Sequence, residues 1–170
     1  AVLRGKVRII KNLEAAGEQK FAVKGEIDLG DLSPALDPIA DGMSVTISGF
    51  DALPLMTITI PGGAAPDRRA AGWFVNKAGT KWTYKDRDGA IVPGITKAFV
   101  QHKPREAARY YRFAIAGKDG DFQVNPLLTP FMFEIVIGNP DQCGEIRFNG
   151  EGGSRPTCKI RRSGSTIGCG

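Results

Sequence analysis

The chain contains one histidine, His102, so a catalytic triad or dyad built on imidazole would have to use it. His102 stands in the segment VQHKP, at the expected end of a strand and before a proline turn. The sequence has no GxSxG elbow, no HExxH helix and no glycine-rich phosphate loop that leads into a helix. We therefore expect a surface histidine and no enzymatic activity.

Carboxylates are concentrated in one part of the first half. Between Gly25 and Arg68 there are seven acidic residues and no lysine or arginine. Oxygen-rich loops can bind calcium, and the segment 28–41 is the candidate here. Pro34 and Pro38 restrict that segment and no DxDxDG pattern occurs, so solvated loop carboxylates remain the alternative. We expect no other metal or cofactor. The seven residues are Glu26, Asp28, Asp31, Asp37, Asp41, Asp51 and Asp67.

Three cysteines lie in the second half. Cys158 and Cys169 are placed symmetrically about a predicted turn at Ser163 and Gly164, so a hairpin would bring them opposite each other. A bridge between Cys143 and Cys158 would also close a short loop and remains the alternative. The spacings of 15 and 11 residues do not fit a zinc finger. Oxidised cysteines are typical of secreted proteins, which predicts an extracellular or cell-surface location.

Trp73, Trp82 and Tyr84 belong to another hairpin-like segment, WFVNKAGTKWTY. Rings that faced outward would form a platform for stacking sugars, whereas rings that faced inward would belong to the core. Alignment with the C-terminal hairpin places Trp73 and Tyr84 at the positions of its two cysteines. The first half is therefore expected to have an aromatic pair where the second half has a disulfide.

The net charge of +5 is unevenly distributed. Residues 1–88 hold 12 basic and 11 acidic side chains, whereas residues 89–170 hold 11 basic and 7 acidic ones. A basic protein can bind nucleic acid, but there is no lysine-rich or arginine-rich helix and no RNA-binding aromatic motif. We expect no nucleic-acid partner. No apolar run approaches the roughly 18 to 20 residues of a spanning helix, so no membrane span is predicted.

The elements that position these residues are short strands, arranged as one unit written twice. FAVKG at 21–25 returns as FAIAG at 113–117, and SVTIS at 44–48 returns as EIVIG at 134–138. The offset between the copies drifts from 92 through 90 to 85, the last value relating the two hairpins. Alternating apolar residues in short runs predict half-buried strands. The sequence predicts an all-β protein of two duplicated six-stranded antiparallel units, 1–88 and 89–170, packed as a β-sandwich or barrel.

Several segments carry a resemblance to known proteins. They are GWFVNKAGTKWTYKD at 72–86, GITKAFV at 94–100, FAIAGKDGDF at 113–122 and CGEIRF at 143–148 with its two later cysteines. This region resembles β-rich repeat modules in secreted proteins of environmental bacteria. The resemblance covers most of residues 72–170 and implies an exported β-rich protein. It implies no catalytic residue.

The duplication favours a non-catalytic extracellular structural protein that assembles with copies of itself. Similar faces at opposite ends would let one subunit dock on the next and form a filament or surface assembly. The alternative is a polysaccharide-binding module that uses the aromatic residues. In the assembly, an acidic cluster on one subunit would meet a basic cluster on the next. The acidic cluster is Asp28, Asp31, Asp37 and Asp41, and the basic cluster is Arg155, Lys159, Arg161 and Arg162.

Overall fold

The computed structural model describes residues 2–30, 36–67, 69–104, 109–138, 142–149 and 156–170. Within these ranges the chain forms twelve strands, six in each half, which confirms the predicted all-β class. The helix α1 (Pro38–Asp41) is one turn long, and no described helix has the length and apolar character to cross a membrane. The strands are β1 (Val2–Ile10), β2 (Gln19–Asp28), β3 (Met43–Ser48), β4 (Pro54–Ile60), β5 (Gly72–Val75), β6 (Lys81–Lys85), β7 (Ile95–His102), β8 (Tyr110–Gly120), β9 (Met132–Ile137), β10 (Cys143–Arg147), β11 (Cys158–Arg161) and β12 (Thr166–Cys169).

The strands form two antiparallel sheets that pack face to face. The larger sheet has the order β11-β12-β1-β2-β8-β7-β6-β5, and the smaller has the order β10-β9-β3-β4. Alternate residues of each strand are buried between the sheets, as the period-two pattern predicted. The buried apolar residues form one continuous core. Its fully enclosed members include Phe21, Ile27, Ile60, Ile95, Val100, Phe113, Ile135 and Ile137.

The strand order has twofold symmetry. Exchanging β1–β6 with β7–β12 reproduces the order of both sheets. In the larger sheet Val23 pairs with Ile115, and in the smaller sheet Val45 pairs with Ile135. These partners are also 92 and 90 residues apart, which are the offsets found by aligning the two halves. Each of these residues therefore pairs with its own counterpart, which places the symmetry axis at these two pairs.

Both sheets contain strands from both halves. The hairpin β11–β12 pairs with β1, and the hairpin β5–β6 pairs with β7. At the centre, β2 pairs with β8 and β3 pairs with β9. The expected boundary at residues 88 and 89 thus falls between β6 and β7, which are hydrogen-bonded neighbours. Residues 1–88 and 89–170 interlock and share the core.

The outer edge at β5 is partly covered by the segment that precedes it. The Trp73 amide donates to the Gly63 carbonyl at 3.0 Å, and the Trp73 carbonyl accepts from the Ala65 amide at 2.9 Å. At the opposite edge, Asn149 forms a bridge with Thr157 just before β11. Coverage of this kind limits the addition of further strands, because an exposed edge otherwise offers unpaired backbone groups.

Candidate ligand-binding face

The C-terminal hairpin contains the predicted disulfide. Cys158 and Cys169 are directly opposite each other in the β11–β12 ladder and are bonded. Cys143 is a free, exposed thiol on β10, so the alternative pairing of Cys143 with Cys158 is wrong. The disulfide is compatible with an extracellular location.

The first hairpin has the expected aromatic pair at the equivalent place. Trp73 and Tyr84 are cross-strand partners whose ring centroids are 5.6 Å apart. Each side chain is only 1% exposed, and the Trp73 indole N–H donates to the Pro61 carbonyl at 2.9 Å. Trp82 is partly buried against the same core. The expectation of an outward sugar-stacking platform is therefore corrected for Trp73 and Tyr84, because their strand positions point into the sandwich.

The Tyr84 hydroxyl lies close to the buried carboxylate of Asp86. Burial raises the pKa of Tyr84 to about 12, and the negative charge of Asp86 adds to this effect. The two groups interact without meeting the geometry of a full hydrogen bond. The Asp86 carboxylate instead accepts from the Ile91 amide at 2.7 Å. Tyr84 is therefore neutral near pH 7 and is a packing residue.

The acidic segment has local structural roles. Asp37 caps α1 by accepting from the amides of Ile39 and Ala40 at 3.0 and 3.3 Å. Asp28 accepts from the Gly30 amide at 3.0 Å, and Asp41 lies in the last turn of α1. Asp31 lies outside the described residues. Among the residues that are described, no three acidic, histidine or cysteine side chains are grouped to hold a metal ion. Calcium binding at 28–41 stays a prediction.

The described residues of the predicted basic cluster lie on the edge strand β11 and in the turn that follows it. Arg161 pairs with Thr166, which is in register with Ile10 and Lys20 at the start of β2. Arg162 follows in the turn, with a positive φ of 52°. Lys159 lies on the same edge strand, and Arg155 is outside the described residues. Asp28 ends β2 and therefore lies at the opposite end of the strands from Arg161. The helix α1, which Asp37 caps, contacts β5 at the opposite edge of the sheet from β11.

The exposed face of the larger sheet is strongly cationic. In β1, for example, the exposed residues Arg4, Lys6 and Arg8 alternate with buried ones. Of the 23 basic residues in the chain, twelve occupy such outward positions. Three acidic residues, Glu26, Asp28 and Asp119, lie on or beside this face. We call the twelve residues the basic face: Arg4, Lys6, Arg8, Lys20, Lys24, Lys81, Lys85, Lys97, Arg112, Lys118, Lys159 and Arg161.

Few carboxylates neutralise the basic face. Among its described ion pairs, Arg112 Nε lies 3.5 Å from Glu26 Oε1, and Lys118 Nζ lies 3.6 Å from Asp119 Oδ2. Some of its lysines instead cover aromatic rings. The Lys81 ammonium lies 5.1 Å from the Phe99 ring centroid, and the Lys85 ammonium lies 5.7 Å from that of Phe74. The face therefore keeps a large excess of positive charge.

The outer face of the smaller sheet is different. Its outward positions contain one basic residue, Arg147, which donates to Glu145 at 2.7 Å. Hydroxyl groups are common there, and those of Thr46 and Thr57 lie 3.3 Å apart. Of the two outer sheet faces, that of the larger sheet therefore carries most of the positive charge and is the side that would attract an anion.

A cleft of about 480 Å³ adjoins the basic face. Its lining includes Gly5 and Gly25, which pair across β1 and β2, and Ile146 of β10 in the smaller sheet. Four of the basic residues line it. Its described lining is Arg4, Gly5, Lys6, Lys24, Gly25, Glu26, Phe99, Arg112, Phe113, Ala114, Ile146, Pro156 and Gly170.

Sequence reasoning did not find the basic face. Its residues come from six strands, and they become neighbours only through the sheet order β11-β12-β1-β2-β8-β7-β6. The available signal was the regular alternation of cations with apolar residues in Arg4 to Arg8 and in Lys20 to Lys24. No protein family, curated protein or solved structure matches the chain.

Proposed function

We propose that this protein is a non-catalytic extracellular β-sandwich module that binds an anionic polysaccharide through the basic face. The observation that carries the proposal is the concentration of twelve lysines and arginines, against three acids, on one side of the sandwich. A broad sheet with regularly spaced cations suits a polymer with regularly spaced anions, because many weak contacts form at once. The aromatic pair is not required.

The chemistry of the face favours a polysaccharide over nucleic acid. Nucleic-acid bases bind single-strand-binding proteins by stacking on exposed aromatic rings. The rings on this face, Phe74 and Phe99, are half-buried beneath lysine ammonium groups. The described helices are too short to enter a groove of a duplex. The disulfide also favours a compartment in which extracellular polymers are the available polyanions.

The test is affinity for a sulfated polysaccharide and a polyuronate, with neutral dextran as the negative ligand. The variant Arg8→Glu/Lys97→Glu reverses two exposed charges outside the cleft and should weaken binding about tenfold, since each exposed contact is worth about 0 to 1 kcal/mol. The matched control, Lys77→Glu/Arg87→Glu, changes exposed loop cations away from the face and should leave affinity unchanged. Equal loss in both variants, or binding that is insensitive to salt, would contradict the proposal.

A second candidate is self-assembly into a filament or surface layer, which one observation favours. Asp28 at the end of β2 and the basic turn around Arg161 and Arg162 lie at opposite ends of the larger sheet. Opposite charges at opposite ends suit head-to-tail docking. In the absence of polysaccharide, the sedimentation coefficient should rise with protein concentration, and Arg161→Glu/Arg162→Glu should abolish the rise. A concentration-independent monomer would rule this candidate out.

A further inference from the structure

Resting on the proposed function, we infer that the cleft is the subsite that holds a single acidic sugar unit of the polysaccharide. The ligand chemistry is a pyranose ring that carries a carboxylate or a sulfate ester. Lys6, Lys24 and Arg112 bind the anionic group, and Ala114 contacts the ring. The rest of the basic face then holds the neighbouring units of the polymer.

The arrangement of charge is the first argument. Lys6 and Lys24 are direct cross-strand partners, and like charges in that position repel each other. Both are exposed, and neither has an ion pair among the described residues. An anion bound between them would remove the repulsion. A cross-strand pair of lysines at the wall of a cleft is therefore suited to a carboxylate or sulfate.

Arg112 is held in position beside this pair. It lies next to Ala114 on β8, and its Nε is 3.5 Å from Glu26. The Tyr110 hydroxyl donates to the other oxygen of Glu26 at 2.9 Å, which fixes the carboxylate. A guanidinium oriented in this way can donate two parallel hydrogen bonds to a carboxylate or sulfate. Glu26 thus positions Arg112 and reduces the charge of the cleft only in part.

The size and apolar lining are the second argument. About 480 Å³ lies within the roughly 300 to 1,000 Å³ of small-molecule sites and exceeds the space that an inorganic anion needs. Phe99 and Ala114 are register partners in the same cross-strand row as Lys6 and Lys24. They supply apolar surface beside the cations. A sugar ring with one charged group matches this combination, because its C–H groups can pack while its anion is bound.

The experiment uses short oligosaccharides in isothermal titration of the whole chain. The probes are a uronate tetrasaccharide, a sulfated disaccharide and a neutral tetrasaccharide. Ala114→Leu fills the cleft without changing charge and should weaken binding of the charged probes at least tenfold. Its matched control is Ala22→Leu, the same change at the symmetry-related position outside the cleft, which should have no effect. The more tightly bound charged probe identifies the anion as carboxylate or sulfate.

Polymer affinity separates this inference from the proposed function. Ala114→Leu should lower the affinity for the full polysaccharide less than threefold, because the remaining face still binds. If the polymer binds but the charged short probes do not, or if Ala22→Leu weakens them as much as Ala114→Leu, the subsite is wrong and the proposed function stands. If neither polymer nor short probe binds, both are wrong. A single-stranded oligonucleotide that competes for the cleft as well as the uronate tetramer would also overturn the inference.

Discussion

The two outer hairpins of the larger sheet occupy equivalent positions but are stabilised differently. In β5–β6, Trp73 and Tyr84 meet across the strands, whereas Cys158 and Cys169 meet in β11–β12. Val75 and Ile160 lie two residues beyond Trp73 and Cys158 in the two hairpins, and their exposed fractions are similar, at 47% and 41%. The duplicated backbone therefore determines which positions meet, and their chemistry is free to change. Two large rings need a deep core around them, whereas a disulfide needs only two Cβ atoms at a suitable distance.

The largest effect is expected from Trp73→Ala in the first hairpin. The change removes a side chain that is 1% exposed together with its hydrogen bond to Pro61, so the free energy of unfolding should fall by about 3–5 kcal/mol. Urea denaturation measures the loss. Val75→Ala in the same strand is the control and should cost well under half as much. Equal losses would show that the aromatic pair does not hold this hairpin.

Removal of the disulfide should have the next largest effect. Cys158→Ser/Cys169→Ser opens a loop with a sequence separation of 11 residues and should lower the free energy of unfolding by about 2–3 kcal/mol. Cys143→Ser changes an exposed free thiol and should leave stability unchanged. Reduction of the wild type should reproduce the loss seen in the double variant. No change on reduction would mean that the bond contributes nothing to the second hairpin.

The glycines of the two turns should differ in their tolerance of alanine. Gly79 has a φ of +68° with no atom within 4 Å of a Cβ, so Gly79→Ala should cost only the left-handed strain of about 1–2 kcal/mol. At Gly164 the φ is +100°, and a Cβ would lie 3.0 Å from Pro126 Cγ. Crowding should therefore add about 1 kcal/mol to the strain in Gly164→Ala. Thermal unfolding of both variants measures the difference, and equal costs would contradict it.

The last effect concerns alkaline pH and the first hairpin alone. The pKa of Tyr84 is raised to about 12 in the folded chain, whereas tyrosine in an unfolded chain ionises near 10. The stabilising contribution of the neutral hydroxyl is present below about pH 10 and is lost as pH rises toward 12. Wild type should therefore lose stability relative to Tyr84→Phe over that interval. Parallel stability curves for the two proteins would show that Tyr84 is not the titrating group.

Much of this fold could be predicted from local sequence signals. Alternation such as Phe21, Val23, Ile27 marks the strands, and the short turns at Gly79 and Gly164 determine the register of the two hairpins. The order of strands within the sheets required the structure, because β2 meets β8 through pairings about 90 residues apart. The alternation of apolar residues within each strand does not predict that the two halves interlock.

The candidate site was less accessible to sequence reasoning. Trp73 and Tyr84 are candidate sugar-stacking residues because they are large and aromatic. They nevertheless occupy the buried positions of their strands. Within residues 1–88 the number of basic side chains is nearly equal to the number of acidic ones. Their segregation becomes visible only when outward positions from both halves are placed on one sheet. A charge total cannot predict that arrangement.

The pairing of Val23 with Ile115 and of Val45 with Ile135 has a consequence for the ancestry of the chain. A single unit would leave one edge of β2 and one edge of β3 unpaired, and its terminal hairpin would lack the strand of the other half that it joins here. Two identical units could satisfy all these edges only by exchanging hairpins in a closed dimer. Gene duplication would then have joined the partners end to end. Once they were joined, each copy could diverge, so that one acquired a disulfide where the other has an aromatic pair.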